Sequence, residues 1–251
     1  MSKKVIDNID SWDKDKERMI LYADIMGFKN TIFSNTHDEV KEKLLKFKRS
    51  FERKIEPLRT GDHMRFVQFS DSIIIVVNGT NSKMVNLVTK AGIILMHEAM
   101  NAGFPIKGCL SQGTFTYDKD NELYFGLPLV NAFLLHDELY YYGIVVHHSA
   151  EKIIKDNISI DCPYRISPVV LKKGKISHYH LMWNKLKLDL SPGDITDKAV
   201  KWLDKIQETC SGSPRIYIDN TRLILKDDSD NCSDLVINPK AKYVSGYYSG
   251  G

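Results

Sequence analysis

Cysteine is scarce: Cys109, Cys162, Cys210 and Cys232 are the only four in 251 residues, and no two stand close enough for a zinc knuckle or a disulfide framework. That usage fits a reduced, cytoplasmic setting. Long apolar runs are also missing. The N-terminus, Met1-Ser2-Lys3-Lys4-Val5-Ile6-Asp7, lacks the apolar core of a signal peptide, and Lys90, His97 and Glu98 interrupt the most apolar helical stretch, so direct membrane insertion is not expected. Charge of one sign is not in excess. Thirty-five Lys and Arg against 32 Asp and Glu leave +3, with basic residues dispersed among acids, which excludes the one-sided footprint of a dedicated nucleic-acid binder. There is no internal repeat and no low-complexity tract. At 43% hydrophobic residues, the chain can bury a full core, as one large domain or one domain with a sizeable appendage.

What the chain has is two apolar strands that each deliver a carboxylate. Ile20-Leu21-Tyr22-Ala23-Asp24-Ile25 ends in an acid and breaks at Gly27, and Ile73-Ile74-Ile75-Val76-Val77 carries one at its mouth, in Phe69-Ser70-Asp71-Ser72. Two ionised carboxylates about 5 Å apart repel by roughly 3 kcal/mol at an effective dielectric of about 20, so such a pair must share a proton or bind a cation. All-oxygen ligation favours magnesium, manganese or calcium over zinc. After Asp24, Met26-Gly27-Phe28-Lys29-Asn30 runs towards a helix, where free N–H groups make a seat for phosphates. Metal and phosphate seat together point to a nucleoside triphosphate. Either Asp alone would read as a strand-end turn residue.

The rest of the chain reads as strands alternating with helices. A strand over Arg18–Ala23 is followed by an amphipathic helix over Asp38–Glu56, with Val40, Leu44, Phe47, Phe51 and Ile55 at steps of three and four. Met64–Phe69 and Ile73–Asn78 form a hairpin with Asp71 at its bend. A helix over Ser82–Ala102 stops at Gly103, and Pro105–Gly113 is a strand. Thr114–Tyr117 and Leu123–Phe125 flank a polar turn. Gly126-Leu127-Pro128 opens a helix that runs to about Tyr142, before a strand at Ile144–His147. Further on, Tyr164–Leu171 and Ile176–Trp183 read as strands and Asp194–Cys210 as a helix, while Arg215–Leu225 is open between strand and helix. The succession is α+β, with a mixed sheet and helices on it.

The succession Tyr22-Ala23-Asp24-Ile25-Met26-Gly27-Phe28, Phe69-Ser70-Asp71-Ser72, Lys107-Gly108…Gly113 and Tyr124-Phe125-Gly126…Val130-Asn131-Ala132 resembles the class III nucleotide cyclase catalytic domain. The likeness covers about Met19–Ile154. The segment Gly126-Leu127-Pro128-Leu129-Val130-Asn131-Ala132-Phe133 looks more like the bacterial antiphage pyrimidine cyclases, the Pycsar branch, than like adenylate cyclases. The resemblance implies a ferredoxin-like palm over 19–183, after a flexible lead-in (1–18) and before a C-terminal α/β extension (184–242) and a mobile tail (243–251). It implies two divalent ions, Mg²⁺ or Mn²⁺, on Asp24, Asp71 and the carbonyl of Ile25, with the N–H groups of Met26, Gly27 and Phe28 cradling the triphosphate. It further implies a head-to-tail homodimer in which Asn131 approaches the ribose on the other copy. The product would be a 3′,5′-cyclic nucleotide, read by a downstream effector in antiviral defence.

Departures from the family pattern matter as much. Leu135 stands where many members carry a transition-state Arg, leaving Arg65, Lys107, Lys173 and Lys175 as candidate cations, the last two in a turn like the family's triphosphate-binding segment. Val67 stands where purine cyclases place a base-reading Lys or Glu, which leans the substrate towards UTP or CTP. The missing Arg also keeps open a catalytically silent nucleotide sensor, and the blandest alternative is a structural interaction domain. His147-His148, His178-x-His180, the Tyr140–Tyr142 run and His136 are expected to pack or face solvent rather than bind metal or bases. The histidines at 147 and 148, as strand neighbours, are expected to diverge.

Overall fold

A computed structural model describes residues 12, 15–58, 61–157, 163–188, 195–232 and 235–237. The expected tail lies outside these residues, as does most of the expected lead-in. Trp12, within that lead-in, is anchored: its indole N–H donates to the Asp62 carbonyl at 2.9 Å, and its ring packs edge-on against Tyr117.

Strand β1 (Lys16–Ile25) is buried on both sides from Arg18 to Ala23, so it is central in the sheet. The chain then forms α1 (Phe28–Ser34) and α2 (His37–Ile55), the latter opened by a capping box between Thr36 and Glu39. Its buried stripe is Val40, Phe47, Phe51 and Ile55. The hairpin β2 (Met64–Phe69) and β3 (Ser72–Val77) turns at Ser70, which takes a left-handed φ of 55°. Next come α3 (Ser82–Ala102), ended by Gly103 at φ 70°, then β4 (Ile106–Asp118) and β5 (Leu123–Gly126), followed by α4 (Leu127–Glu138). Strand β6 (Ile144–Val146) leads to α5 (His148–Asn157), β7 (Tyr164–Leu171), β8 (Gly174–Leu181) and β9 (Leu186–Leu188). Helices α6 (Ile195–Gln207) and α7 (Ser213–Asn231) precede β10 (Leu235–Ile237).

The sheet has the order β2-β3-β1-β4-β6-β8-β7, with β5 on β4, and β9 pairs with β10 in a separate parallel ladder. Pairing is antiparallel throughout the sheet except between β4 and β6. Because side chains alternate, the register sorts β1 between two faces. Met19, Leu21, Ala23 and Ile25 enter the main core with α2 and α3, whereas Tyr22 packs with Ala132 of α4 on the opposite face. That opposite face also carries Asp24. Helix α3 is buried nearly all round, from Met84 to Met100, including His97 and Glu98, while Lys90 is half-buried.

Several elements differ from the sequence expectation. Helix α4 stops at Glu138 rather than Tyr142, because Leu139 bridges to Leu171 and the Tyr140 N–H donates to the Val170 carbonyl, drawing the tyrosines out of the helix and into a bend. Tyr141 and Tyr142 are core residues, as expected. Strand β4 runs through the expected break at Gly113. The segment left open at Arg215–Leu225 belongs to a 19-residue helix. Helices α6 and α7, in the expected C-terminal extension, send Ala199, Trp202, Leu203, Ile218 and Leu225 into the main core. Polar ties hold α7 as well, with Asn220 donating to the Tyr140 carbonyl, Thr221 accepting from the Tyr142 N–H, and Asp228 against His180 at 3.1 Å.

Candidate active site

Asp24 lies half-buried near the end of β1, opposite Ser72 on β3 and Lys107 on β4. Asp71 sits at the hairpin bend, and its carbonyl accepts from the Ile25 N–H at 3.0 Å, which pins the bend to the end of β1. Asp24 senses its neighbour. Burial first, and the Asp71 charge second, push the Asp24 carboxyl up to about 6, while Ser72 and Lys107 pull the other way. Ser72 Oγ is 3.2 Å from Asp24 Oδ1, and 3.0 Å from the Tyr22 hydroxyl. Burial likewise raises the Tyr22 phenol. In a strand, the N–H and C=O of one residue project to the same side, so the Ile25 carbonyl also faces the Asp71 bend.

Two carboxylates and a carbonyl, oxygen-only and overcharged, are a donor set suited to a hard divalent cation. Among the described residues, no group of three or more His, Cys, Asp or Glu converges as a ligand cluster. A site here therefore depends on the paired acids with backbone oxygen. The backbone beyond is a tight turn in which Gly27 has φ 71°. Nothing would touch a Cβ there, so the left-handed backbone, rather than space, calls for glycine. One expectation for this turn is corrected: the Met26 N–H already donates to the Pro105 carbonyl at 2.7 Å and is not free for phosphate. The N–H groups opening α1, from Phe28, are those a helix leaves unpaired.

The four candidate cations separate clearly. Arg65 is committed to a bidentate pair with Asp62 and lies over the Trp12 ring. Lys107 is buried beside Asp24, with its ammonium 3.5 Å from the Leu139 carbonyl and over the Tyr217 ring of α7. Burial lowers its pKa. Lys173 and Lys175 lie exposed at the β7–β8 turn, and no ion pair joins them to the acids among the described residues. Their neighbour Lys172 pairs with Asp137 of α4, so this turn docks on the helix that carries Asn131. Val67 faces the same side as Asp24, through the pairs Val67–Ile74 and Ile74–Tyr22.

Helix α4 is apolar on both its faces. Inward, Ala132 and His136 are buried, and His136 has no hydrogen-bond partner on either ring nitrogen. Burial, then Lys107, lowers His136 to about 4, so it is neutral at ordinary pH. Outward, Leu127 (68% exposed), Val130, Phe133 and Leu134 continue an apolar strip from Leu123 and Phe125 of β5. Asn131 lies between, half-buried. Among the residues set aside, His147 and His148 do not diverge: β6 ends at Val146, strand alternation no longer applies, and the rings stand 4.0 Å apart. Sequence reading overlooked Tyr22 and Ser72 as parts of the site. Their signal was the two-residue step from Tyr22 to Asp24 and the serine beside Asp71.

Neither a protein-family model nor a curated protein matches the sequence. Solved structures do. The chain is similar to the adenylyl cyclase CyaB from P. aeruginosa, with TM-score 0.52 and 14% identity over 67% of this chain and 94% of that one. It is similar to the guanylate cyclase domain of RhGC from Catenaria anguillulae, solved with GTP, with TM-score 0.51 and 14% identity over 67% and 97%. It also resembles a non-canonical dimeric guanylyl cyclase domain of the RhoGC fusion protein from the aquatic fungus Blastocladiella emersonii, with TM-score 0.52 and 14% identity over 67% and 98%. No helix among the described residues is long and apolar enough to cross a membrane. This α+β chain, with its eight-stranded mixed sheet, has the fold of the adenylyl and guanylyl cyclase domains.

Proposed function

We propose that the protein is a metal-dependent nucleotide cyclase. The observation that carries this reading is the juxtaposition of Asp24 and Asp71 at one mouth of a cyclase-type sheet, where the Asp71 charge acts on the Asp24 carboxyl. Two divalent ions, when bound, would lower the pKa of the ribose 3′-hydroxyl and offset the triphosphate charge. Asp24, Asp71 and the Ile25 carbonyl would hold them. The N–H groups of Gly27 and Phe28 would orient the phosphates, with the 3′-oxygen bonding to the α-phosphorus as the bond to pyrophosphate breaks.

The site is completed by a second copy. The apolar strip of Leu123, Phe125, Leu127, Val130 and Leu134 is surface that an isolated chain gains nothing by exposing, and it supports a head-to-tail homodimer. Asn131 would then reach the ribose held by the partner's acids. Lys173 and Lys175, on the turn docked to the same helix, would arrive with it and supply the cation missing at Leu135. Lys107 has a different task, balancing Asp24 from beneath.

An apolar Val67 on the nucleotide face gives a purine edge no partner, so UTP or CTP is the substrate we favour. The cyclic product would be a signal in antiviral defence, read by an effector. Apolar Leu135 also favours one second reading, a silent nucleotide sensor. The test is incubation of the purified protein with each of the four ribonucleoside triphosphates and Mn²⁺, with products resolved by chromatography. A cyclic pyrimidine nucleotide and pyrophosphate are expected. Metal-dependent binding without any product would favour the sensor, and a purine product would overturn the base assignment.

A further inference from the structure

A hydroxyl and a phenol stand behind Asp24. The β1–β3 register sets Ser72 directly opposite Asp24, and Tyr22 precedes Asp24 by two residues, so all three share one face of the sheet. Ser72 Oγ lies 3.2 Å from Asp24 Oδ1 and 3.0 Å from the Tyr22 hydroxyl. Ligand chemistry orders this chain. An ionised carboxylate can only accept, so Ser72 donates its single proton to Asp24 and must accept from the Tyr22 O–H. Tyr22 is held in turn by α4, with the Phe133 and His136 rings edge-on at 5.7 and 5.0 Å.

We propose that Ser72 and Tyr22 are positioning residues that fix the orientation of the Asp24 carboxylate and tie it to the seating of α4. This rests on the metal-dependent reading above. A carboxylate has a free torsion that metal binding must freeze, and an outer hydrogen bond that has already frozen it removes that cost; such partners commonly contribute roughly 10–100-fold in metal affinity. The same line of contacts joins the metal acid to the helix bearing Asn131. A shift of α4 is therefore felt at Asp24 through the Tyr22 ring, then its hydroxyl, then Ser72.

The test is Mn²⁺ titration of the nucleotide-free full chain, with free Mn²⁺ followed by electron paramagnetic resonance and melting followed separately in chelator. Ser72→Ala should weaken Mn²⁺ binding about tenfold. Tyr22→Phe should weaken it less, and Ser72→Thr, which keeps the hydroxyl, should bind like the parent. The double variant Ser72→Ala/Tyr22→Phe should be no worse than Ser72→Ala, because Tyr22 acts through Ser72. Additive losses, or a Ser72→Ala protein that binds like the parent while Asp24→Asn does not, would overturn the relay. Losses that track melting in chelator would also overturn it, by assigning these residues a structural role only. A parent that binds no Mn²⁺, or an Asp24→Asn variant that binds equally well, would overturn the metal reading itself.

Discussion

In the absence of metal, Asp24→Asn should stabilise the protein. The carboxyl is held at about 6 against an ordinary 3.8, chiefly by burial and then by Asp71. Two units amount to about 3 kcal/mol at neutral pH, reduced to about 2 kcal/mol because solvent still reaches the site. The amide keeps an oxygen to accept from Ser72 and loses the charge. Folding favours the protonated acid here, so the parent's stability is highest below the unfolded pKa near 4, falls as pH rises to about 6, and is flat above. The variant's advantage should follow that curve inversely, full at pH 7.5 and close to gone at pH 4. Thermal melting in chelator reads it as a rise of about 4–8 °C at pH 7.5. Saturating Mn²⁺ should reverse the order, since a ligand bound at 100 times its Kd adds about 2.7 kcal/mol to the parent alone. A variant that melts no higher than the parent in chelator, or whose gain is the same at pH 4 and 7.5, would refute the reasoning.

Asp71→Ala should abolish cyclisation while leaving melting in chelator unchanged or raised, and turnover at the parental rate would remove Asp71 from the metal site. Val130→Glu with Leu134→Glu should convert the proposed dimer to monomer by sedimentation and lower activity at least about tenfold, because charges replace the apolar strip. A dimer that persists would relocate the interface. Gly108→Ala puts a Cβ 2.7 Å from the Tyr22 carbonyl, so β1 and β4 must part beside the acids. The cost should be about 1–3 kcal/mol by denaturant unfolding, and none at all would mean that these strands yield freely.

The central strands were legible because continuous apolar runs mark strands covered on both faces. In β1 and β3 the run is unbroken, in α2 apolar residues recur at three and four, and the paired acids stand out against them. Helix α7 was not legible for a complementary reason. Half of its buried stripe is polar, Asn220, Thr221 and Asp228 beside Ile218, Ile224 and Leu225, and those residues are buried because distant groups satisfy them. The end of α4 was misread because no breaker precedes Gly143. What unwinds Tyr140–Tyr142 is pairing with β7, some thirty residues away in sequence. At the site, residue types gave the acids and a shortlist of cations, but only strand register reveals that Ser72 opposes Asp24, and only side-chain placement that Arg65 is engaged by Asp62.

Strand β6 meets β8 through one registered pair, Val145 with His180. Mechanically, that is a perforation across an otherwise continuous ladder, and the β7–β8 hairpin beyond it is clamped at its tip instead, where Leu171 bridges to Leu139 and the Lys172 N–H donates to the Glu138 carbonyl. A tip so clamped is geared to the end of α4, and any shift of that helix would carry the neighbouring lysines along.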